Sequence, residues 1–116
     1  MHTDLKKIIE SIWDNRDLLK HKENEAAIRH VINDLDAGKL RVAEPTPDGW
    51  QVNEWIKKAV ILYFPIQQMK LMEAGIFEYH DKMPLKRGYQ ELGVRVVPPA
   101  TVRHGAFVNR GVILMP

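Results

Sequence analysis

The chain has 116 residues, 45% of them apolar, with 17 basic against 15 acidic side chains and a net charge of +2. That is enough sequence for one core but not two, and so small an excess of interspersed charge gives no field suited to nucleic acid or an anionic membrane surface. The absence of cysteine removes disulfides and thiol catalysis, no apolar run approaches the ~20 residues of a membrane span, and the N-terminus lacks the apolar stretch of a secretory signal. A cytoplasmic protein with no nucleic-acid or membrane partner is expected.

Leu5, Ile8, Ile9, Ile12 and Trp13 recur at helical spacing behind Thr3, a candidate N-cap, and Asp4, and they predict an amphipathic helix. The charged residues 14–24 are expected to turn the chain. Ile28, Val31, Ile32 and Leu35 mark a second helix, begun among residues 23–25 and stopped by Gly38, so the two stripes should pack as a helical hairpin. The period then changes to two. Leu40-Arg41-Val42 and Trp50-Gln51-Val52, separated by Pro45-Thr46-Pro47-Asp48-Gly49, predict a β-hairpin. Asn53 is placed to cap a third helix, along which Trp55, Ile56, Ala59, Val60 and Tyr63 recur until Pro65; residues 61–64 would also suit a strand. Residues 66–92 show no clean period and read as an irregular connector with one short helix or strand. Trp13, Trp50 and Trp55 fall on apolar faces and are expected in the core.

The end of the chain carries a different signal. Val96, Val102, Val108 and Leu114 lie six residues apart, and Ala100, Ala106 and Val112 follow the first three of them by four. Neither a helix nor a paired strand repeats at six. A hexapeptide parallel β-helix does, because each six-residue unit forms one side of a triangular coil with an aliphatic side chain inward and a small or β-branched residue at the corner. Three units make a coil, which residues 96–113 would supply. One coil cannot cover its own inner face, so this stretch is expected to belong to a longer protein.

The run Gly93-Val94-Arg95-Val96-Val97-Pro98-Pro99-Ala100-Thr101-Val102-Arg103-His104-Gly105-Ala106-Phe107-Val108, with Val112-Ile113-Leu114-Met115-Pro116 behind it, resembles the start of the β-helix in the tetrahydrodipicolinate N-succinyltransferase family. Leu40-Arg41-Val42-Ala43-Glu44, Trp55-Ile56-Lys57-Lys58-Ala59-Val60 and Asp81-Lys82-Met83-Pro84-Leu85-Lys86 resemble that family's N-terminal domain in the same order. The resemblance is weakest over residues 1–30 and 66–78. It implies an α+β fold: residues 1–94 an N-terminal helical domain with a β-hairpin, and residues 95–116 the truncated start of a left-handed parallel β-helix. It further implies a homotrimer in lysine and diaminopimelate biosynthesis that transfers succinyl from succinyl-CoA, a co-substrate, to the amine of ring-opened tetrahydrodipicolinate, with no bound cofactor and no metal. The family's catalytic groups and CoA groove lie on coils beyond Pro116, so a chain of this length is expected to be inactive by itself.

Arg95 is the candidate substrate-binding residue. It stands where the globular part meets the coil, at a junction of the kind that builds ligand pockets, and a guanidinium there can hold a carboxylate bidentately. An ordinary surface ion pair would also account for an arginine at such an edge. The resemblance favours the first role, because the arginine of the family's Gly-x-Arg-Val-Val-Pro motif binds the dicarboxylate substrate and Arg95 matches it. No other residue pattern carries chemistry. The histidines His2, His21, His30, His80 and His104 have no metal-ligand spacing, and His104 is expected to be exposed. Arg103 and Arg110 should point outward, and Lys82 and Lys86 should form a solvated pair. Two other readings are open: a stand-alone helical protein-interaction module, and another hexapeptide acyltransferase acting on sugars. The upstream similarity between Leu40 and Lys86 argues against the second.

Overall fold

A computed structural model describes residues 2–116. Helix α1, His2–Asp14, buries Leu5, Ile9 and Ile12, which their spacing places on one face. Because the helix already includes His2, Thr3 lies in its first turn and does not cap it. The charged stretch that follows is more ordered than a turn: the Asn15 side chain accepts the Asp17 N–H and starts a 3-10 helix, Arg16–Lys20. Helix α2, Lys22–Asp36, buries Ala27, Ile28, Val31, Ile32 and Leu35. It ends at Gly38, φ 78°, where the Gly38 N–H donates to the Leu35 carbonyl and the Lys39 N–H to the Asp34 carbonyl at 2.8 Å. This is a Schellman ending, which needs the left-handed backbone that glycine adopts without a Cβ penalty.

Helix α3, Glu54–Ile66, buries Trp55, Ile56, Ala59, Leu62 and Tyr63. Residues 61–64 are helical, and Pro65 falls within the last turn instead of stopping it. The largest fully buried side chains are Ile9 and Ile12 from α1, Ile28 and Val31 from α2, and Ile56 and Leu62 from α3. All three helices thus share one core, and the expected two-helix hairpin is part of a three-helix layer. Asn53 occupies the N-cap position of α3 but makes no side-chain cap bond. Its amide instead donates to the Arg41 carbonyl at 2.7 Å, tying the helix start to the chain that leads into the first hairpin.

That hairpin pairs β1, Ala43–Thr46, with β2, Gly49–Val52, antiparallel, with Thr46 opposite Gly49. The first strand begins later than Leu40 because Leu40 is drawn into the helical core; Pro45 and Thr46 extend the ladder, and Pro47-Asp48 alone make the turn. Apart from half-buried Thr46, the ladder is exposed. Trp50 is 73% exposed and so is not a core residue. Trp55 is buried, and Trp13 is half-buried beneath two cations, with the Arg16 guanidinium 4.6 Å and the Lys58 amine 5.6 Å from its ring centroid.

Residues 66–92 contain a second antiparallel hairpin, β3 Lys70–Ala74 with β4 Phe77–Asp81, and a one-turn helix α4, Tyr89–Leu92. Gly75 has φ 65° while Ile76 keeps a negative φ, the sign pattern of a type II′ turn. Beyond α4, β5, Arg95–Val96, pairs in parallel with β6, Ile113–Leu114, Arg95 facing Ile113 and Val96 facing Leu114, 18 residues further along the chain. Between them Val96, Ala100, Val102, Val108 and Val112 are half-buried, whereas Arg95, Thr101, Arg103 and Ile113 are exposed. Ala106, expected at an inner corner, is exposed. The architecture is α+β, a three-helix layer with three two-stranded ladders. Among the described residues no helix is long and apolar enough to cross a membrane.

Candidate functional site around Arg95

The backbone that presents Arg95 is set by two glycines. Gly88 and Gly93 flank α4 with φ 78° and 70°, and after the second of them the Val94 N–H donates to the Tyr89 carbonyl at 3.0 Å while its side chain is buried. With Val94 turned inward, the alternation of a strand turns Arg95 outward. A Cβ at Gly93 would run into the Arg110 side chain, whose guanidinium donates to the Glu91 carbonyl at 3.0 Å. Arg110 is therefore exposed, as expected, yet it is engaged in closing the end of α4.

Three rungs hold the strand. The Gly111 N–H donates to Gly93 at 2.8 Å, the Arg95 N–H to Val112 at 3.0 Å and the Val97 N–H to Leu114 at 2.9 Å. The Arg95 side chain is exposed, and no hydrogen bond or ion pair engages its guanidinium among the described residues. An uncommitted guanidinium on a bonded strand can receive a carboxylate without first breaking a protein contact. Arg95 does not line the two cavities that border residues 100–105. One, of about 350 Å³, lies between Glu73, Lys86, Arg87, Tyr89 and Thr101; the other, of about 190 Å³, lies between Ile32, Val60, Tyr63, Met83 and His104. Burial pushes the Tyr63 hydroxyl up from its ordinary value, and the neighbouring Arg29 charge pulls it partly back.

The structure assembles a polar cluster that sequence reasoning missed. Lys86 is not a solvated residue: its side chain is 5% exposed and its amine lies 2.7 Å from the Asp36 carboxylate. The same carboxylate oxygen accepts the Gly105 N–H at 2.9 Å and lies 3.4 Å from His104 Nδ1. The other ring nitrogen of His104 lies 2.9 Å from the Asn33 side-chain oxygen, so His104 is bound against α2 and not free on the surface. Lys82 donates to the Phe64 carbonyl at 3.2 Å, separately from Lys86, and Arg103 reaches Asp81 at 3.9 Å from an exposed position. His2 and His30 both approach Asp34, at 3.6 and 3.2 Å. Among the described residues no group of three or more His, Asp or Glu side chains could hold a metal ion.

Burial alone would raise the Asp36 carboxyl; the Lys86 and Gly105 hydrogen bonds and the charges of His104 and Lys86 outweigh it and hold the group below its ordinary value of 3.8. A carboxyl depressed by folding stabilises the folded state above its unfolded value and loses that contribution as pH falls through the folded one. The stability difference between the parent chain and Asp36→Asn is thus expected to shrink as pH drops below about 3.8. Urea midpoints measured from neutral to strongly acidic pH check this, and a pH-independent difference would contradict it.

A family model described as the N-terminal part of tetrahydrodipicolinate N-succinyltransferase matches residues 4–66. The chain is 44% identical over 126 residues to the 2,3,4,5-tetrahydropyridine-2,6-dicarboxylate N-succinyltransferase of Bordetella petrii, covering 100% of this chain and 46% of that protein. The protein of the same name from Aromatoleum aromaticum is 46% identical over 97% of this chain and 45% of its own length, and that from Paracidovorax citrulli 46% over 100% and 46%. The chain thus spans about half the length of the curated relatives it matches. It belongs to the tetrahydrodipicolinate N-succinyltransferase family, and residues 4–66 carry the match to that family's N-terminal part.

Proposed function

We propose that this chain is the N-terminal part of an enzyme that transfers a succinyl group from succinyl-CoA to the amine of ring-opened tetrahydrodipicolinate, in the biosynthesis of diaminopimelate and lysine. The observation that carries this reading is similarity along the whole of this chain, at 44–46% identity, to 46% of the length of proteins named for that transfer. In the reaction the amine nitrogen attacks the thioester carbonyl, a C–N bond forms, the C–S bond breaks, and the proton lost by nitrogen leaves with CoA as the thiol. The protein must hold the amine against the thioester and offer donors to the oxygen that becomes negative. In this chain Arg95 is the residue assigned to that work, as the cation that binds a carboxylate of the acceptor.

Residues 1–94 are read as the N-terminal domain and residues 95–116 as the first coil of a left-handed β-helix. Parallel pairing of β5 with β6 at an offset of 18 residues supports the coil, since three six-residue sides return a chain to the same edge. The half-buried positions 96, 102, 108 and 114 support it as well. On this reading further coils cover the exposed face of β6, three copies assemble, and the site lies between the β-helices of neighbouring copies in the cytoplasmic enzyme. The match over residues 4–66 favours this over a sugar-directed hexapeptide acyltransferase or a stand-alone helical module.

The test is Arg95→Lys in a protein of full family length. Loss of a bidentate, charge-assisted contact should lower kcat/KM for the amine substrate by about ten- to a hundredfold, roughly 1.5–3 kcal/mol. The apparent affinity for succinyl-CoA should stay unchanged. Wild-type kcat/KM in this variant would show that Arg95 is structural.

A further inference from the structure

We propose that Asp36 is a positioning residue for Arg95, the centre of a latch that docks residues 102–105 on the end of α2 and so fixes where the Arg95 strand sits. The idea rests on the reading of Arg95 as the carboxylate contact. The Schellman ending satisfies carbonyls of α2 but brings no charge: the last turn has no basic side chain and carries Asp36, where the helix dipole favours cations. The positive charge arrives from far along the chain. Lys86 donates to both the Asp36 carboxylate, at 2.7 Å, and the Asp36 carbonyl, at 3.3 Å, and His104 stands 3.4 Å from the same carboxylate oxygen.

The two segments that carry these partners are also bonded to each other by backbone. The Lys86 N–H donates to the Val102 carbonyl and the His104 N–H to the Pro84 carbonyl, both at 2.8 Å, so residues 84–86, residues 102–105 and the end of α2 meet at one carboxylate. A second contact two residues further on reinforces it. The Phe107 ring packs where Gly38 has no side chain, close enough that a Cβ there would stand 2.7 Å from the ring, and the Arg41 guanidinium covers that ring at 4.3 Å from its centroid. The span between β5 and β6 is therefore held at its middle by the helical layer and at its two ends by the ladder. Releasing the middle leaves the Arg95 strand held by its three rungs and by the Val94 bond to Tyr89.

Asp36→Asn keeps the shape and an acceptor for Gly105 but removes the charge. In a protein of full family length this variant should raise KM for the amine substrate about tenfold, as expected for misplacement of a binding group, with kcat and KM for succinyl-CoA within about twofold. Hydrogen exchange at the Gly105 and Arg95 amides should accelerate together, and Asp36→Glu should restore part of both effects. Should Asp36→Asn fail to fold, Lys86→Met, which leaves the carboxylate its Gly105 N–H, is read in the same way. If Arg95→Lys keeps a wild-type KM, the reading of Arg95 fails and the exchange rates alone decide the latch. Otherwise, wild-type behaviour in either measurement, or a rise in both KM values together, overturns it.

Discussion

Ile28→Ala is expected to destabilise the helical layer by about 2–5 kcal/mol, the range for truncating a buried isoleucine to alanine. Ile28 is fully buried in the middle of α2, in the core that α2 shares with α1 and α3, so the neighbouring helices can close over the lost atoms only by moving together. A domain holds only about 5–15 kcal/mol in total, and the variant should lose a large share of it. Ile76→Ala is the control: Ile76 is 94% exposed at the tip of the second hairpin and should change stability by less than about 0.5 kcal/mol. Urea unfolding of both variants decides the matter, and equal effects would mean that the three helices do not form the core.

The second large effect concerns the proposed coil. In a protein of full family length, Val102→Asp and Val108→Asp should each disrupt the coil and the assembly built on it, while Arg103→Asp should be much milder. Each valine would forfeit roughly 1.5–3 kcal/mol of apolar burial and acquire the desolvation cost of a carboxylate, several kcal/mol more. Arg103 is already exposed and gives up only a long ion pair to Asp81, a contact of the class that contributes about 0–1 kcal/mol. Thermal melts and sedimentation separate the outcomes. Equal tolerance at all three positions would remove the physical basis for the six-residue register.

What could be read from the residues alone follows a physical divide. Helices α1, α2 and α3 were legible because each buries a stripe, and a stripe leaves a period in the sequence. The β3–β4 hairpin left none: Leu71, Ile76 and Phe77 are exposed beside Lys70, Glu73 and Glu78, so no face is apolar throughout. Its turn, Gly75-Ile76, also lacks the Asn-Gly type of signal that announces a hairpin; the glycine alone was available. Trp50 misled for the converse reason, since its alternation with Gln51 is real but the ladder packs on nothing that would bury it. At the candidate site, Arg95 could be found because it belongs to a contiguous motif. The cluster at Asp36 could not, because Lys86 and Gly105 lie 50 and 69 residues away from it, and only the folded chain brings them within reach.

The 18-residue offset of the β5–β6 ladder bears on the order in which the molecule assembles. Closing a flexible loop of that length costs about 2.5 kcal/mol in chain entropy beyond a constant, against only two pairs of strand residues. By contrast α1 and α2 are neighbours in sequence, and contacts between near neighbours form fastest. The ladder is thus expected to form late, after the end of α2 exists as a surface on which residues 102–107 can settle. During synthesis that surface emerges first, so a ribosome delivers the helical layer as a template before the strand that needs it has been made.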